Sequence, residues 1–232
     1  MPQGETLISY APVARPDTGA FDVFRCMPIY RSAEGQEFGM DVVLGHKGDI
    51  ENTAGRNAAI LRLIFKALFR AHAQGANVQL IVPVNSIALA TRAGATIIHD
   101  VFSELEPECW AALTVDVFNL PERVSVDSLS GITVPMLLYT DRFIARPHTA
   151  MEDFTVFANC NYQGVVFDMT AGGGDTATQL GQLMDFWSEA TKRRLGLCVQ
   201  NVADDDIVAT VRRWEAMHID GAAIAAPQER PI

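Results

Sequence analysis

Basic residues are scarce: 18 Lys and Arg stand against 28 Asp and Glu in 232 residues, a formal net charge of −10. A nucleic-acid partner needs clustered Lys and Arg to neutralise its phosphates. An anionic membrane surface asks for the same, so neither is an expected partner. Long apolar runs are missing as well. None approaches the roughly 18 residues of a membrane span, which argues against membrane insertion. The first residues lack the basic-then-apolar order of a secretory leader. Residues 1–20 read as a loose arm ahead of a single domain over 21–232. Cysteine is limited to Cys26, Cys109, Cys160 and Cys198, far apart and in or beside apolar segments. A zinc site wants paired spacing, so these read as buried, reduced thiols of a cytoplasmic protein. His46, His72, His99, His148 and His218 show no H-E-x-x-H spacing. No metal and no cofactor is expected from these patterns.

What remains is ordered and apolar. Hydrophobic residues make up 49% and charged residues 20%, the balance of a globular chain that can bury a full core. The clearest segment is 195–227. A short apolar run from Leu197 suits a buried strand. Asp204, Asp205 and Asp206 then supply a helix cap and favour the helix dipole. Ile207, Val208, Val211 and Trp214 follow at helical spacing, and a second apolar run from Ile219 stops at Pro227. Strand, cap, helix and strand make a βαβ unit, since parallel strands need a crossover. The same alternation recurs upstream. Strands at 21–30 and 38–44 read as an opening hairpin. After it come a helix at 58–72, a strand at 78–84, an interrupted helix at 87–105 and a strand at 112–118. A strand at 134–139, a helix at 150–158, a strand at 164–168 and a helix at 176–194 complete the series. The glycines Gly172, Gly173 and Gly174 lack the lysine of a phosphate loop and read as a flexible β/α connection. About seven β/α steps after a hairpin predict a closed α/β barrel, with functional groups at the strand C-terminal ends.

The order of elements and several phrases resemble the EAL domain, the bacterial cyclic di-GMP phosphodiesterase family. Met27-Pro28-Ile29-Tyr30 stands where the family has FQPI, and Asp41-Val42-Val43-Leu44-Gly45 where it has E-A-L-L-R. Residues 80–85 are similar to LSVNVS, 113–117 to LEITE and 140–143 to the start of DDFGTG. Residues 165–168 are similar to LKID, 200–204 to AEGVET and 220–227 to QGYLFGRP. The resemblance covers about Phe21 to Pro227. It implies an α/β fold, a TIM-like (β/α) barrel of the EAL type with an opening antiparallel hairpin.

It also implies a two-metal phosphodiesterase centre, most of whose residues are replaced here. The signature glutamate is Asp41. The strand asparagine is Pro83, with Asn85 two residues on, and the next glutamate is Thr114, with Asp116 two residues on. The aspartate pair is Thr140-Asp141. The lysine is Val166, although Asp168 fits its aspartate. The later glutamate is Gln200, the arginine after the signature motif is Gly45, and the glutamine before the last loop is Asp220. Two-metal catalysis must stabilise both the attacking and the leaving oxygens. Asp41, Asn85, Asp116, Asp141 and Asp168 are therefore expected to be vestigial positions, without Mg or Mn and without appreciable cyclic di-GMP binding. A simpler reading of Asn85 is a helix cap; strand-end acids commonly cap the loops that follow them.

The expectation is a degenerate, catalytically inactive regulatory protein of bacterial signalling. It would act through contact with another protein or a second copy of itself. The alternative is a residual Mg- or Mn-dependent cyclic di-GMP phosphodiesterase, or a cyclic di-GMP sensor, built on Asp41, Asp116, Asp141 and Asp168. On the helix at 58–72, Leu63, Phe65 and Phe69 fall off the stripe of Ile60, Ile64 and Leu68. One stripe suffices to pack on a barrel, so these three, with the opening hairpin over 21–44, are the expected contact surface, unless the arm over 1–20 or a second copy covers them.

Overall fold

A computed structural model describes residues 4–15, 22–45, 50–148, 150–171 and 175–232. His46, Gly172, Gly173 and Gly174 lie outside the described residues.

The chain enters the sheet at once. Strand β1, Gly4–Val13, runs antiparallel to β2, Val23–Ser32, along its whole length. The loose arm expected over 1–20 is thus corrected for its described part. Its polar start and Pro12 hide a strand whose Tyr10, Ala11 and Val13 are buried. Strand β3 is only Glu37–Phe38, pairing with the end of β2, and helix α1, Met40–Leu44, follows directly. The second hairpin strand expected at 38–44 is therefore mostly helix. A short apolar run fits either element by pattern alone, and here Val43 and Leu44 are buried from a helical turn.

Alternation then proceeds as the sequence predicts. Helix α2 is Ile50–Ala73, β4 is Gln79–Asn85, α3 is Ser86–Leu89 and α4 is Arg92–Ser103. Next come α5, Pro107–Trp110, β5, Leu113–Phe118, and α6, Val126–Thr133. The strand expected at 134–139 is not formed. Residues Val134–Met136 make a 3-10 turn that continues α6, and Val134, Leu137 and Leu138 stay exposed. Pro135 explains this, because it lacks the N–H a central strand must donate and its fixed φ suits a helical turn. The strand at this step is the three-residue β6, Phe143–Ala145, too short to stand out by pattern. The chain finishes with α7, Thr155–Asn159, β7, Gly164–Asp168, α8, Thr176–Lys192, β8, Gly196–Gln200, α9, Asp205–Arg213, and β9, His218–Ile219. As expected, Asp204 caps α9, accepting from the amides of Asp206 and Ile207. Beyond β9 the chain turns at Gly221, φ 139°. A Cβ there would lie 2.1 Å from the Val202 nitrogen, so only glycine lets the two backbones touch.

The strands order as β1-β2-β4-β5-β6-β7-β8-β9, with β3 attached to β2. Every neighbouring pair from β2–β4 onward is parallel. Ala14 and Ile219 exchange two backbone hydrogen bonds of 2.8 and 3.1 Å, which joins the two edges. The fold is a mixed α/β barrel with an antiparallel first strand. Among the described residues no helix is long and apolar enough to cross a membrane. The four cysteines are free and buried.

Barrel strands turn alternate side chains inward, and parallel neighbours in register share a face. Val13, Val23, Ile81, Ile144, Val166 and Cys198 form one buried interior layer contributed by six strands. Below it the barrel narrows around Met217. A Cβ on Gly164 would meet Met217 Cε at 2.9 Å and the Gly196 carbonyl oxygen at 2.6 Å. Gly164→Ala is therefore expected to cost about 1–3 kcal/mol by overpacking, read as a lowered Tm. Gly131, inside α6 with open space where its Cβ would stand, gives the contrast. Gly131→Ala is expected to hold or raise Tm, since helical glycine costs about 0.5–1 kcal/mol relative to alanine. Equal Tm values for the two variants would refute the close packing of Met217 on Gly164.

Candidate functional site

Two residues beyond the apolar layer, toward the strand C-terminal ends, the interior becomes polar. Arg25 follows Val23, Pro83 follows Ile81, Asp168 follows Val166 and Gln200 follows Cys198, each on the inward face by the two-residue period. Asp116 is in register with Pro83 on one side and Ile144 on the other. Arg146 directly succeeds β6, and Asp220 directly succeeds β9.

These side chains bind one another. Arg25 grips Asp220 through two hydrogen bonds, Nε to Oδ2 at 2.8 Å and Nη2 to Oδ1 at 2.6 Å. Its Nη2 also donates to Asn201 Oδ1 at 2.8 Å, and Asn201 Nδ2 donates to Asp168 Oδ1 at 2.7 Å. Arg146 donates to Asp116 Oδ2 from Nη2 at 2.6 Å and from Nε at 3.1 Å. Its Nη1 lies 3.5 Å from Asp168 Oδ2. The result is a chain of contacts from Asp220 through Arg25, Asn201, Asp168 and Arg146 to Asp116. Asp116 is 1% and Asp220 2% exposed, so both carboxylates depend on their guanidiniums for compensation.

Electrostatics follow from that burial. Burial alone would raise the Asp168 carboxyl, but hydrogen bonds from Asn201 and Thr170, with the Arg146 charge, more than reverse it and hold it below the ordinary carboxylate range. Burial likewise opposes the charge on Arg146. Asp116, by charge and hydrogen bond, together with Asp168 and Asp220, outweighs it and keeps the guanidinium protonated. Cys198 beneath is pushed far up by burial and by the Asp116 and Asp220 charges, so it remains a thiol.

The expected site residues separate into three groups. Asp116 and Asp168 do converge, with Arg146 between them. Asp116 is level with Pro83, whereas Thr114 is level with Ile81 in the apolar layer. Asp41 lies in the first turn of α1 rather than on a strand, where it lines the wall of the mouth. Asn85 is buried as the cap of α3, accepting from the Ile87 amide at 3.0 Å and donating to the Leu44 and Gly45 carbonyls. Asp141 is a correction. It precedes β6 instead of following it, so it sits at the opposite end of the barrel, and the strand-end position belongs to Arg146. The expected contact surface needs a correction as well. Phe65 is buried, its ring edge-on to Phe102 at 5.0 Å between α2 and α4, whereas Leu63 and Phe69 are exposed. Arg25 and Arg146 are not among the positions to which the family resemblance points. The available signal was an arginine inside the apolar strand FDVFRCMPIY, the one charged side chain between Val23 and Tyr30.

Above the polar layer a cavity of about 1260 Å³ opens at the C-terminal face. Arg25, Arg146, Asp168 and Asn201 form its floor, and Met27, Ile29, Phe118, Phe154, Phe167 and Phe186 contribute apolar wall. Metal chemistry would need carboxylates facing an open position. Here the inward carboxylates face guanidiniums, and a metal ion at Asp116 and Asp168 would have to displace Arg146. Among the described residues no group of three His, Cys, Asp or Glu side chains is placed to hold a metal ion.

No protein-family profile and no curated protein sequence matches the chain. Solved structures do match it. The chain is similar to an EAL domain protein from Listeria monocytogenes EGD-e, with TM-score 0.71 and 14% identity over 97% of this chain and 89% of that one. It is similar to the phosphodiesterase PaMucR in its c-di-GMP complex, with TM-score 0.75 and 11% identity over 96% and 92%. The FimX EAL domain from Pseudomonas aeruginosa, bound to c-di-GMP, aligns with TM-score 0.69 and 14% identity over 98% and 92%. At such identities the likeness establishes the fold: the chain has the EAL-domain fold of cyclic di-GMP signalling proteins, a TIM-like barrel.

The ion pairs make a direct prediction. Arg146→Met leaves Asp116 buried without a counter-charge and is expected to cost about 3–5 kcal/mol, part of which Asp116→Asn recovers in the same background. Asp168, with its depressed pKa, adds stability that is full above the unfolded value of about 3.9 and lost as pH falls through the lower folded value. Asp168→Asn should therefore show a smaller acid loss than the wild type. Chemical denaturation across pH measures both effects; variants that track the wild type would disprove the network.

Proposed function

We propose that this EAL-fold domain is non-catalytic and serves bacterial signalling through contact with another protein. The observation that supports it is Arg146 at the end of β6, bonded to Asp116 and facing Asp168. Hydrolysis of a phosphodiester by two metals needs carboxylates that are free to bind cations on both sides of the reacting phosphorus. Here two guanidiniums take up the inward acids, and the polar layer offers Pro83 and Gln200 where the family resemblance has an asparagine and a glutamate. Against burial, Asp116, Asp168 and Asp220 hold the Arg146 guanidinium protonated, so it does not release Asp116 to a metal by titration. The resemblance's lysine position is Val166, buried in the apolar layer, which removes a further charged participant.

A second reading has one observation in its favour. The cavity remains open above the layer, and the c-di-GMP-bound neighbours share the fold. A sensor would need to grip two phosphates. Strong grip comes from bidentate arginines, and the two arginines of the floor are already engaged by Asp220 and Asp116. Binding of cyclic di-GMP is expected to be weak or absent.

The test is hydrolysis of cyclic di-GMP by the full chain with Mg²⁺ or Mn²⁺ supplied, followed by product separation. No turnover above buffer is expected. Turnover that disappears in Asp116→Asn would overturn the non-catalytic reading, and micromolar binding by calorimetry without turnover would favour the sensor.

A further inference from the structure

Helices α8 and α9 both finish at the end of the barrel opposite the cavity. Each ends in a turn through a left-handed residue, Arg194 at φ 58° and Glu215 at φ 55°. The Met217 amide donates to the Leu197 carbonyl at 2.7 Å, so the two turns lie side by side ahead of β8 and β9. Five of the chain's 18 basic residues fall there: Lys192, Arg193, Arg194, Arg212 and Arg213. Two of them are answered locally. Lys192 and Arg193 pair with Glu189, and Arg193 also pairs with Asp153. Arg194, Arg212 and Arg213 have no acidic partner among the described residues, on a chain where acids outnumber bases. Arg213 Nη2 donates to the Thr210 hydroxyl at 3.1 Å, and Glu215 on the same turn pairs with none of the three. A helix C-terminus favours a cation nearby, which accounts for part of this charge but not for the aromatic surface beside it.

That surface is a stacked pair. Trp187 of α8 and Trp214, the residue after Arg213, have centroids 4.8 Å apart and planes 13° from parallel. Each stays half-buried, and neither indole N–H has an acceptor among the described residues. Trp110, by contrast, donates its indole N–H to the Leu105 carbonyl at 3.1 Å. Met184, one turn before Trp187 on the same face of α8, is 52% exposed. Tryptophan and arginine are the side chains that carry most energy at protein interfaces. Here an apolar platform and three donor-only groups stand together on exposed helix ends.

The charge selects the occupant. Guanidiniums pair with carboxylates through matched forks. Nucleic acid or an anionic bilayer would extend past three cations and meet the acidic remainder of a chain that carries −10. A short acidic segment would not. We infer that the ends of α8 and α9 dock an acidic segment of a partner protein. Its carboxylates meet Arg194, Arg212 and Arg213, and an apolar side chain between them rests on the Trp187–Trp214 pair. This rests on the reading of the domain as a non-catalytic contact module and names the surface and chemistry of that contact.

The probe is an end-blocked pentapeptide, Glu-Leu-Asp-Phe-Glu, titrated into the full chain by calorimetry and by tryptophan fluorescence. Two of the chain's three tryptophans lie at this surface, so emission reports on it directly. The comparators are Gln-Leu-Asn-Phe-Gln, a short single-stranded oligonucleotide, and vesicles containing phosphatidylglycerol. The acidic peptide is expected to shift the emission, to bind at least about tenfold more tightly than its amide counterpart, and to weaken as salt rises. Exposed ion pairs are individually weak. The double variant Arg212→Gln, Arg213→Gln should therefore lose about fivefold and Arg194→Gln, on the other turn, about twofold. Arg92→Gln, exposed on α4, should leave binding unchanged. Equal binding of the two peptides, no loss in either variant, or tighter binding of the oligonucleotide or the vesicles would each overturn the inference. Self-association in sedimentation that the double variant abolishes would also overturn it, by giving the surface to a second copy. Hydrolysis of cyclic di-GMP by the same sample is scored separately. Turnover overturns the non-catalytic reading whichever way the peptides fall, whereas absent turnover with no peptide selectivity overturns only the acidic-segment inference.

Discussion

Arg25 and Asp220 lie 195 residues apart and meet in a buried, doubly hydrogen-bonded pair. Much of the molecule is arranged so that they can. Arg25 is carried inward on β2, and Asp220 is held one residue past the last strand. The backbone bonds between Ala14 and Ile219 bring the two ends of the sheet together beside them. A guanidinium and a carboxylate buried this deeply are tolerable only together, because either one alone would face a large desolvation cost. The pair therefore couples barrel closure to charge compensation. Asn201 passes the same constraint to β7 through Asp168, and Arg146 passes it on to β5.

This arrangement gives the polar layer a chemical character different from that of a metal centre built on the same barrel. A divalent ion polarises whatever it holds and exchanges its ligands. A guanidinium offers fixed donors and no open coordination position. Acids that sit on such donors are structural, and Asp168 is held, against burial, below the ordinary carboxylate range by its hydrogen bonds and the Arg146 charge. What stays free at the mouth is the outer tier of acids, on α1, α8 and the segment before α7. The barrel has separated its charge into an inner tier that is internally satisfied and an outer tier that faces solvent.

Much of the architecture was legible from residues. The βαβ unit at the C-terminal end, the cap by Asp204 and strand β7 follow from apolar period and capping chemistry, although the last strand is only His218–Ile219 and the rest of the apolar run before Pro227 turns. Three elements were not legible, each for a physical reason. Strand β1 carries Pro12 and a polar start, so its pattern is weak. Strand β6 is three residues long, and the stronger apolar phrase before it, VPMLLY, is held helical by Pro135. Helix α1 is a five-residue apolar run whose period cannot be resolved. The misplacement of β6 mattered most for the site. It put Asp141 where Arg146 belongs and so exchanged a negative charge for a positive one. Phe65 shows a similar limit, since a helix can bury two stripes when a second helix, here α4, lies against it.

Met217, wedged between Gly164 and Gly196, packs beneath the apolar layer of the barrel. Anything that rests on the rim also covers the floor of the cavity, where Arg25, Arg146 and Asp168 stand. A bound partner would lower the local dielectric around Arg146 and Arg25 without touching either of them. It would strengthen their pairs and slow amide exchange in the strands that carry them. Occupancy at the rim would in that way be felt at the seam where the chain's first and last strands meet.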